Sequence, residues 1–140
     1  MSTVFTGGCL CGATRYESSS EPVLALNCHC RDCQRISGSG YFPVLFVPKD
    51  TLTITGEVKF YDAKADSGRA ISRGFCPTCG SQMFGKVELR PNLMAIRAGT
   101  LDNPSLFHPS ADIYTDSAQH WDFMNPDLPK FPQMPPTPQE

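Results

Sequence analysis

The sequence has no long apolar run. No stretch of its 140 residues is apolar enough to span a bilayer, so no membrane partner is expected. It also has no basic excess. Lys and Arg number 12 against 14 Asp and Glu, a net charge of -2, whereas nucleic-acid binding usually needs a basic face; no nucleic-acid partner is expected. The start, MSTVFTGGCLCG, lacks the basic region and apolar core of a signal peptide, which makes a cytoplasmic location the expectation. No window keeps a helical apolar period for three turns, and no repeat of solenoid length is present.

What is present is enough for one folded domain: the chain is 40% hydrophobic and 19% charged. Short runs rich in β-branched and aromatic residues, from ATRYE (13–17) through GYFPVLFV (40–47) to ADIYT (111–115), are bounded by Gly, Pro, Asn or Asp and read as strands. The expected fold class is all-β, mainly antiparallel. CRDCQRISGS allows a single helical turn. The domain is expected over residues 1–125, followed by a Pro-rich C-terminal tail over 126–140, which holds six of the 13 prolines. Such a stretch suits neither a central strand nor a helix interior and reads as a frayed or polyproline tail. The alternative is that Phe131 and Met134 dock on the body or on a second subunit, which would make a homodimer.

Cysteine is the abundant residue. Seven is an odd number for a disulfide framework, and all seven fall into three short groups, a pattern that favours metal binding over inert buried thiols. FCPTCG places Cys76 and Cys79 at knuckle spacing, with Gly80 free to take a positive φ. GGCLCG supplies Cys9 and Cys11, whose sulfurs would make a strained disulfide and suit a shared metal better. Together they form a four-cysteine set, the closed ligation of structural zinc, which would tie the amino-terminal strand to a distant hairpin.

NCHCRDCQ then leaves Cys28, Cys30 and Cys33 with no fourth cysteine. Three protein ligands and one exchangeable position are the layout of a catalytic-type zinc site. The fourth ligand would be His, a carboxylate, water or substrate. His29 lies between two ligands and should point away from the metal; His108 and His120 read as surface residues or as partners of ligands. Three thiolates overcompensate a zinc dication, so cations are needed nearby. Arg31, Arg35, Arg73 and Arg97 are candidates, with Arg35 first because it follows the ligand loop. SGSG (37–40) reads as a flexible turn and Trp121 as a core or lid aromatic.

The ordered pieces GGCLCGATRY, NCHCRDCQRISGSGYF, SRGFCPTCGSQMF, IRAGTLDNP and HPSADIYTDSAQHWDF resemble the glutathione-dependent formaldehyde-activating (GFA) family. The resemblance covers about Thr6 to Phe123. It implies a zinc-stabilised β-tent fold, a structural zinc on Cys9, Cys11, Cys76 and Cys79, and a second zinc on Cys28, Cys30 and Cys33. It also implies carbon–sulfur lyase chemistry on a small thiol such as glutathione, with an aldehyde or a thiol adduct such as S-hydroxymethylglutathione. The sequence departs from that pattern at Asp112-Ile113-Tyr114, where many members read His-Ile-aromatic; an acidic residue changes the charge and hydrogen bonding of the site. Beside the enzyme reading stands a zinc-stabilised module that binds a thiol or a protein without turnover.

Overall fold

The computed structural model describes residues 2–65 and 67–135. The fold is all-β and mainly antiparallel. Among the described residues a small sheet holds β1 (Phe5–Gly8), β2 (Arg15–Ser18) and β5 (Leu52–Thr55) in the order β1-β2-β5. A larger seven-stranded sheet holds β3 (Leu24–Cys28), β4 (Phe42–Pro48), β6 (Lys59–Lys64), β7 (Ala70–Phe75), β8 (Gln82–Val87), β9 (Leu93–Arg97) and β10 (Asp112–Ile113). Its order is β10-β3-β4-β9-β8-β7-β6, antiparallel except for the β10–β3 pair. One helix, α1 (Arg31–Ser37), follows β3. It is two turns long rather than the single turn expected, and Gly38, in the left-handed region at φ 70°, ends it by donating its N–H to the Gln34 carbonyl.

Side chains alternate across a strand, so β3, β4, β8 and β9 of the larger sheet each feed two apolar clusters. Leu45, Val47, Met94, Ile96 and Phe84 pack with Phe5 and Tyr16 of the small sheet into the main core. Tyr16 bridges the two layers, its ring edge-on to Phe5 and to Phe84 at centroid distances of 6.5 and 5.5 Å. Leu26, Val44, Phe46, Ala95 and Ile113 face the other way and form a second cluster.

β1 was not legible as a strand. Gly7 and Gly8 lower its β propensity, yet Gly7 is required: a Cβ there would stand 2.1 Å from the Tyr16 hydroxyl oxygen. Residues 129–133 are not a frayed tail. Phe131 exchanges backbone hydrogen bonds with the β10 region, donating to the Asp112 carbonyl at 3.0 Å, and its ring packs on the second cluster. Thr115 and Tyr114 donate to the carbonyls of Phe131 and Gln133. Residues 136–140 of the expected tail lie outside the described residues.

Candidate metal centres and an adjoining cavity

The two cysteine groups foreseen from spacing assemble as two separate clusters. In the first, Cys9 and Cys11 leave the end of β1, while Cys76 and Cys79 sit in the turn between β7 and β8. Backbone hydrogen bonds shape both loops: Gly80 N–H donates to the Cys76 carbonyl at 2.8 Å and Thr14 N–H to Cys9 Sγ at 3.3 Å. Gly80 takes φ 78° to complete the turn. Ser81 locks the loops together, accepting the Leu10 N–H at 3.0 Å and lying 3.2 Å from Cys79 Sγ.

The four sulfurs lie within 4.8 Å of one another, with Cys9–Cys11 at 3.6 Å and Cys11–Cys76 at 3.9 Å. A tetrahedron of sulfurs at the usual zinc–thiolate length has edges of about 3.8 Å, so the donor set fits a metal ion. The Ser81 hydroxyl and N–H pull Cys79 down to about 5, and the Cys79 and Thr78 N–H groups lower Cys76. Cys11 moves up to about 11: the Ala13 N–H lowers it, but desolvation and the neighbouring thiols outweigh that bond. Without a cation the four sulfurs do not ionise together.

In the second cluster Cys28 closes β3, Cys30 caps α1 and Cys33 lies in its first turn. Cys30 Sγ accepts the Cys33 N–H at 3.2 Å. Hydrogen bonds from the Cys28 and Cys33 thiols hold Cys30 as a thiolate, down to about 2. The same contacts and burial push Cys28 far up. Cys33 rises to about 12, since the thiolate of Cys30 and burial outweigh the bond from Cys28. Cys30 is thus lowered while Cys28 and Cys33 are raised, so a cation would favour ionising the other two thiols beside it.

A cavity of about 470 Å³ opens beside this cluster and is lined by all three of its cysteines together with Arg73 and Arg97. Both arginines are 6% exposed. Arg97 stacks over the Phe42 ring at 4.1 Å, and its Nε has no hydrogen-bond partner among the described residues. Burial pulls Arg97 down to about 10, while the charge on Cys33 works the other way. Gly85 makes its room: a Cβ there would stand 3.0 Å from Arg97 Nη2. Arg73 lies 4.0 Å from Asp32.

Arg35 is exposed on α1 and does not line the cavity; Arg31 is exposed too and bonds Gln34. The buried cations at the cavity thus come from β7 and β9. His29 does point away from the sulfurs. It is 1% exposed, with Nδ1 2.5 Å from Asp122 Oδ2 and Nε2 2.9 Å from Asp112 Oδ1. Asp112 also accepts from Lys130 Nζ at 3.0 Å and Asn27 Nδ2 at 3.2 Å. Burial raises the Asp112 carboxyl, but these donors outweigh it and leave it below the usual range. The acidic residue of Asp112-Ile113-Tyr114 is therefore a buried clamp that joins β3, β10 and the C-terminal stretch. Asp122 was missed in the sequence, where it is one polar residue in HWDF. His108 and His120 are exposed, and Trp121, expected in the core or as a lid, is 62% exposed.

Comparison with known proteins agrees with this arrangement. Residues 4–117 match the sequence profile of the family described as glutathione-dependent formaldehyde-activating enzyme. A Penicillium rubens protein named for that activity is 33% identical over 89 residues, 60% of this chain and 46% of its own length. One from Phaeosphaeria nodorum, named alike, is 32% identical over 88 residues, covering 59% and 46%. The chain spans about half the length of the curated relatives it matches. A crystal structure of a Rhodobacter sphaeroides protein shares the fold with a TM-score of 0.57 at 16% identity, covering 90% of this chain and 98% of that one. Among the described residues, no helix is long and apolar enough to cross a membrane.

Proposed function

The chain belongs to the glutathione-dependent formaldehyde-activating enzyme family, and we propose that it is a zinc-dependent carbon–sulfur lyase that forms and cleaves thiol–aldehyde adducts such as S-hydroxymethylglutathione. Cys9, Cys11, Cys76 and Cys79 would hold a structural zinc, and Cys28, Cys30 and Cys33 a second one. When bound at the three cysteines, zinc supplies a soft cation that favours the thiolate form of a substrate thiol.

The observation that carries the proposal is the pair of buried arginines on the cavity that the three cysteines line. Three thiolates and a dication leave one net negative charge, which would repel an anionic substrate. Arg73 and Arg97 add two positive charges and Asp32, 4.0 Å from Arg73, one negative charge, so the site is neutral before a substrate thiolate binds. Arg97, buried on the cavity wall, would stabilise the negative charge that grows on the aldehyde oxygen as the carbonyl is attacked. In the forward direction a sulfur–carbon bond forms, the carbonyl π bond opens, and the thiol proton, passed through solvent, ends on the new hydroxyl. Cleavage is the same sequence reversed, with no oxidant or reductant. A substrate that fills the apolar remainder of the cavity would displace water from it and strengthen both arginine contacts.

The metal-loaded protein is expected to speed the approach to equilibrium between glutathione, an aldehyde and their adduct. A rate equal to the uncatalysed one with every thiol and aldehyde tried would overturn the lyase reading and leave a thiol-binding module.

A further inference from the structure

The walls of the cavity do not suit a one-carbon substrate. Leu24 and Leu26 of β3, Val44 and Phe46 of β4, Val87 of β8 and Ile113 of β10 all line it. They occupy one face of the sheet by the two-residue period, with Leu26 opposite Val44 and Leu24 opposite Phe46. The hollow has an identifiable cause. Ala95 lies opposite Phe46 on one side and opposite Gly85 on the other, so two of the smallest side chains stand together in the middle of a floor otherwise made of large ones.

We propose that the aldehyde half of the adduct is an apolar group of several carbons, an aliphatic chain or an aromatic ring, rather than formaldehyde's single carbon. The inference rests on the thiol–aldehyde reading above and narrows it. A one-carbon aldehyde is little larger than a water molecule, whose share of liquid is about 30 Å³. It would leave most of the 470 Å³ wetted, against Leu, Val, Phe and Ile side chains that gain nothing from water. Glutathione alone is a poor filler for the same stretch. Its amides, carboxylates and ammonium need partners, and burying them on these walls without partners is costly. The charged groups on the cavity lie elsewhere: Asp32, Arg73 and Arg97 near the cysteines, and Arg69, Glu88 and Arg90 on the β6–β7 and β8–β9 connections. Arg69 and Arg90 suit the carboxylates of a peptide thiol, and the apolar stretch is left for the carbon chain.

The test uses the metal-loaded protein, glutathione and a series of aldehydes: formaldehyde, propanal, hexanal and benzaldehyde. Catalytic acceleration is read as kcat/KM over the uncatalysed rate for each. It is expected to climb by about fourfold per methylene from propanal to hexanal, the increment for burying a CH₂ group, and to be high for benzaldehyde. Ala95→Leu, which fills the hollow, is expected to lower the hexanal-to-formaldehyde ratio tenfold or more; should that variant fail to fold, the wild-type series decides alone. Acceleration that is greatest with formaldehyde and falls with each added carbon overturns the inference and leaves the lyase reading standing. No acceleration with any aldehyde overturns both.

Discussion

The two cysteine clusters use the same ligand in opposite ways. The four-cysteine cluster joins the end of β1 to the β7–β8 turn, elements more than sixty residues apart, and its four sulfurs lie within 4.8 Å of one another. The three-cysteine cluster draws its ligands from six consecutive residues at the end of β3 and the start of α1. It ties no distant elements together, and its remaining side lines a cavity with two buried arginines. The difference is one of what each cluster does for the chain. A closed cluster across a long loop stabilises the fold, whereas an open cluster within one short loop stabilises little and can spare a coordination position.

The comparison breaks first, and most visibly, under ligand removal. Cys76→Ser is expected to cost most of the domain's stability, on the order of several kcal/mol, since closure of a long loop and a metal are lost together. Cys30→Ser is expected to leave a folded protein with one metal fewer and no lyase activity. Thermal unfolding and metal content measure both. Equal losses of melting temperature would erase the distinction. Mild chelation sharpens it further: metal should leave the three-cysteine cluster first with the circular dichroism spectrum unchanged. Loss of all metal in one step with unfolding would contradict the division.

A smaller effect separates the arginines. Arg97→Gln is expected to lower kcat/KM by about a hundredfold, the range for removing one donor to a developing oxyanion, while Arg35→Ala leaves it within twofold. Melting temperature should hold in the second and change modestly in the first. Gly85→Ala is expected to lie between them in activity, because its added methyl displaces the Arg97 guanidinium without deleting it. A large loss in Arg35→Ala with none in Arg97→Gln would move the countercharge back to the helix.

That reversal of arginines shows what the sequence reveals and what it hides. Ligand spacing is local, so the three-cysteine cluster, each half of the four-cysteine cluster, most of the short strands and a helical turn after Cys30 are legible from neighbouring residues. Arg35 is close to the ligands along the chain but is exposed on the helix. Arg73 and Arg97 reach the cavity only because β8 lies between β7 and β9 in the larger sheet, with Gly85 opposite both Arg73 and Ala95. Strand order of that kind is not written in local pattern. The Asp112–His29–Asp122 clamp is hidden for the same reason: His29 is more than eighty residues from either carboxylate, and it is noticeable in sequence only as a residue between two cysteines. β1 is hidden by its glycines: the Tyr16 ring packs against Gly7 and the Arg15 side chain against Gly8.

Acid gives the smallest effect and compares one carboxylate from each region. Asp112, 1% exposed beside the three-cysteine cluster, is held below the ordinary carboxylate range by His29, Lys130 and Asn27 against the opposing effect of burial. Asp102, on the side of the small sheet, is lowered to about 2 by Arg15 and Thr6, but its ion pair is nearly half exposed and screened by solvent. Both pKa values are lower in the folded than in the unfolded chain. Each carboxylate therefore contributes stability that is fully present above about pH 4, the unfolded value, and is lost as pH falls toward the folded one. Protonation of the thiolates also destabilises the protein in acid, so the readout is the difference between wild type and variant in urea unfolding at each pH. Asp112→Asn is expected to cost about 1–3 kcal/mol at neutral pH, as the buried His29 imidazole and the partly exposed Lys130 ammonium lose their charged partner. Asp102→Asn is expected to cost much less, with a difference that is constant well above pH 4, falls as pH drops and vanishes only below about pH 2. A difference for Asp102→Asn that equals or exceeds that for Asp112→Asn would show that the exposed pair, and not the buried clamp, carries the carboxylate contribution to stability.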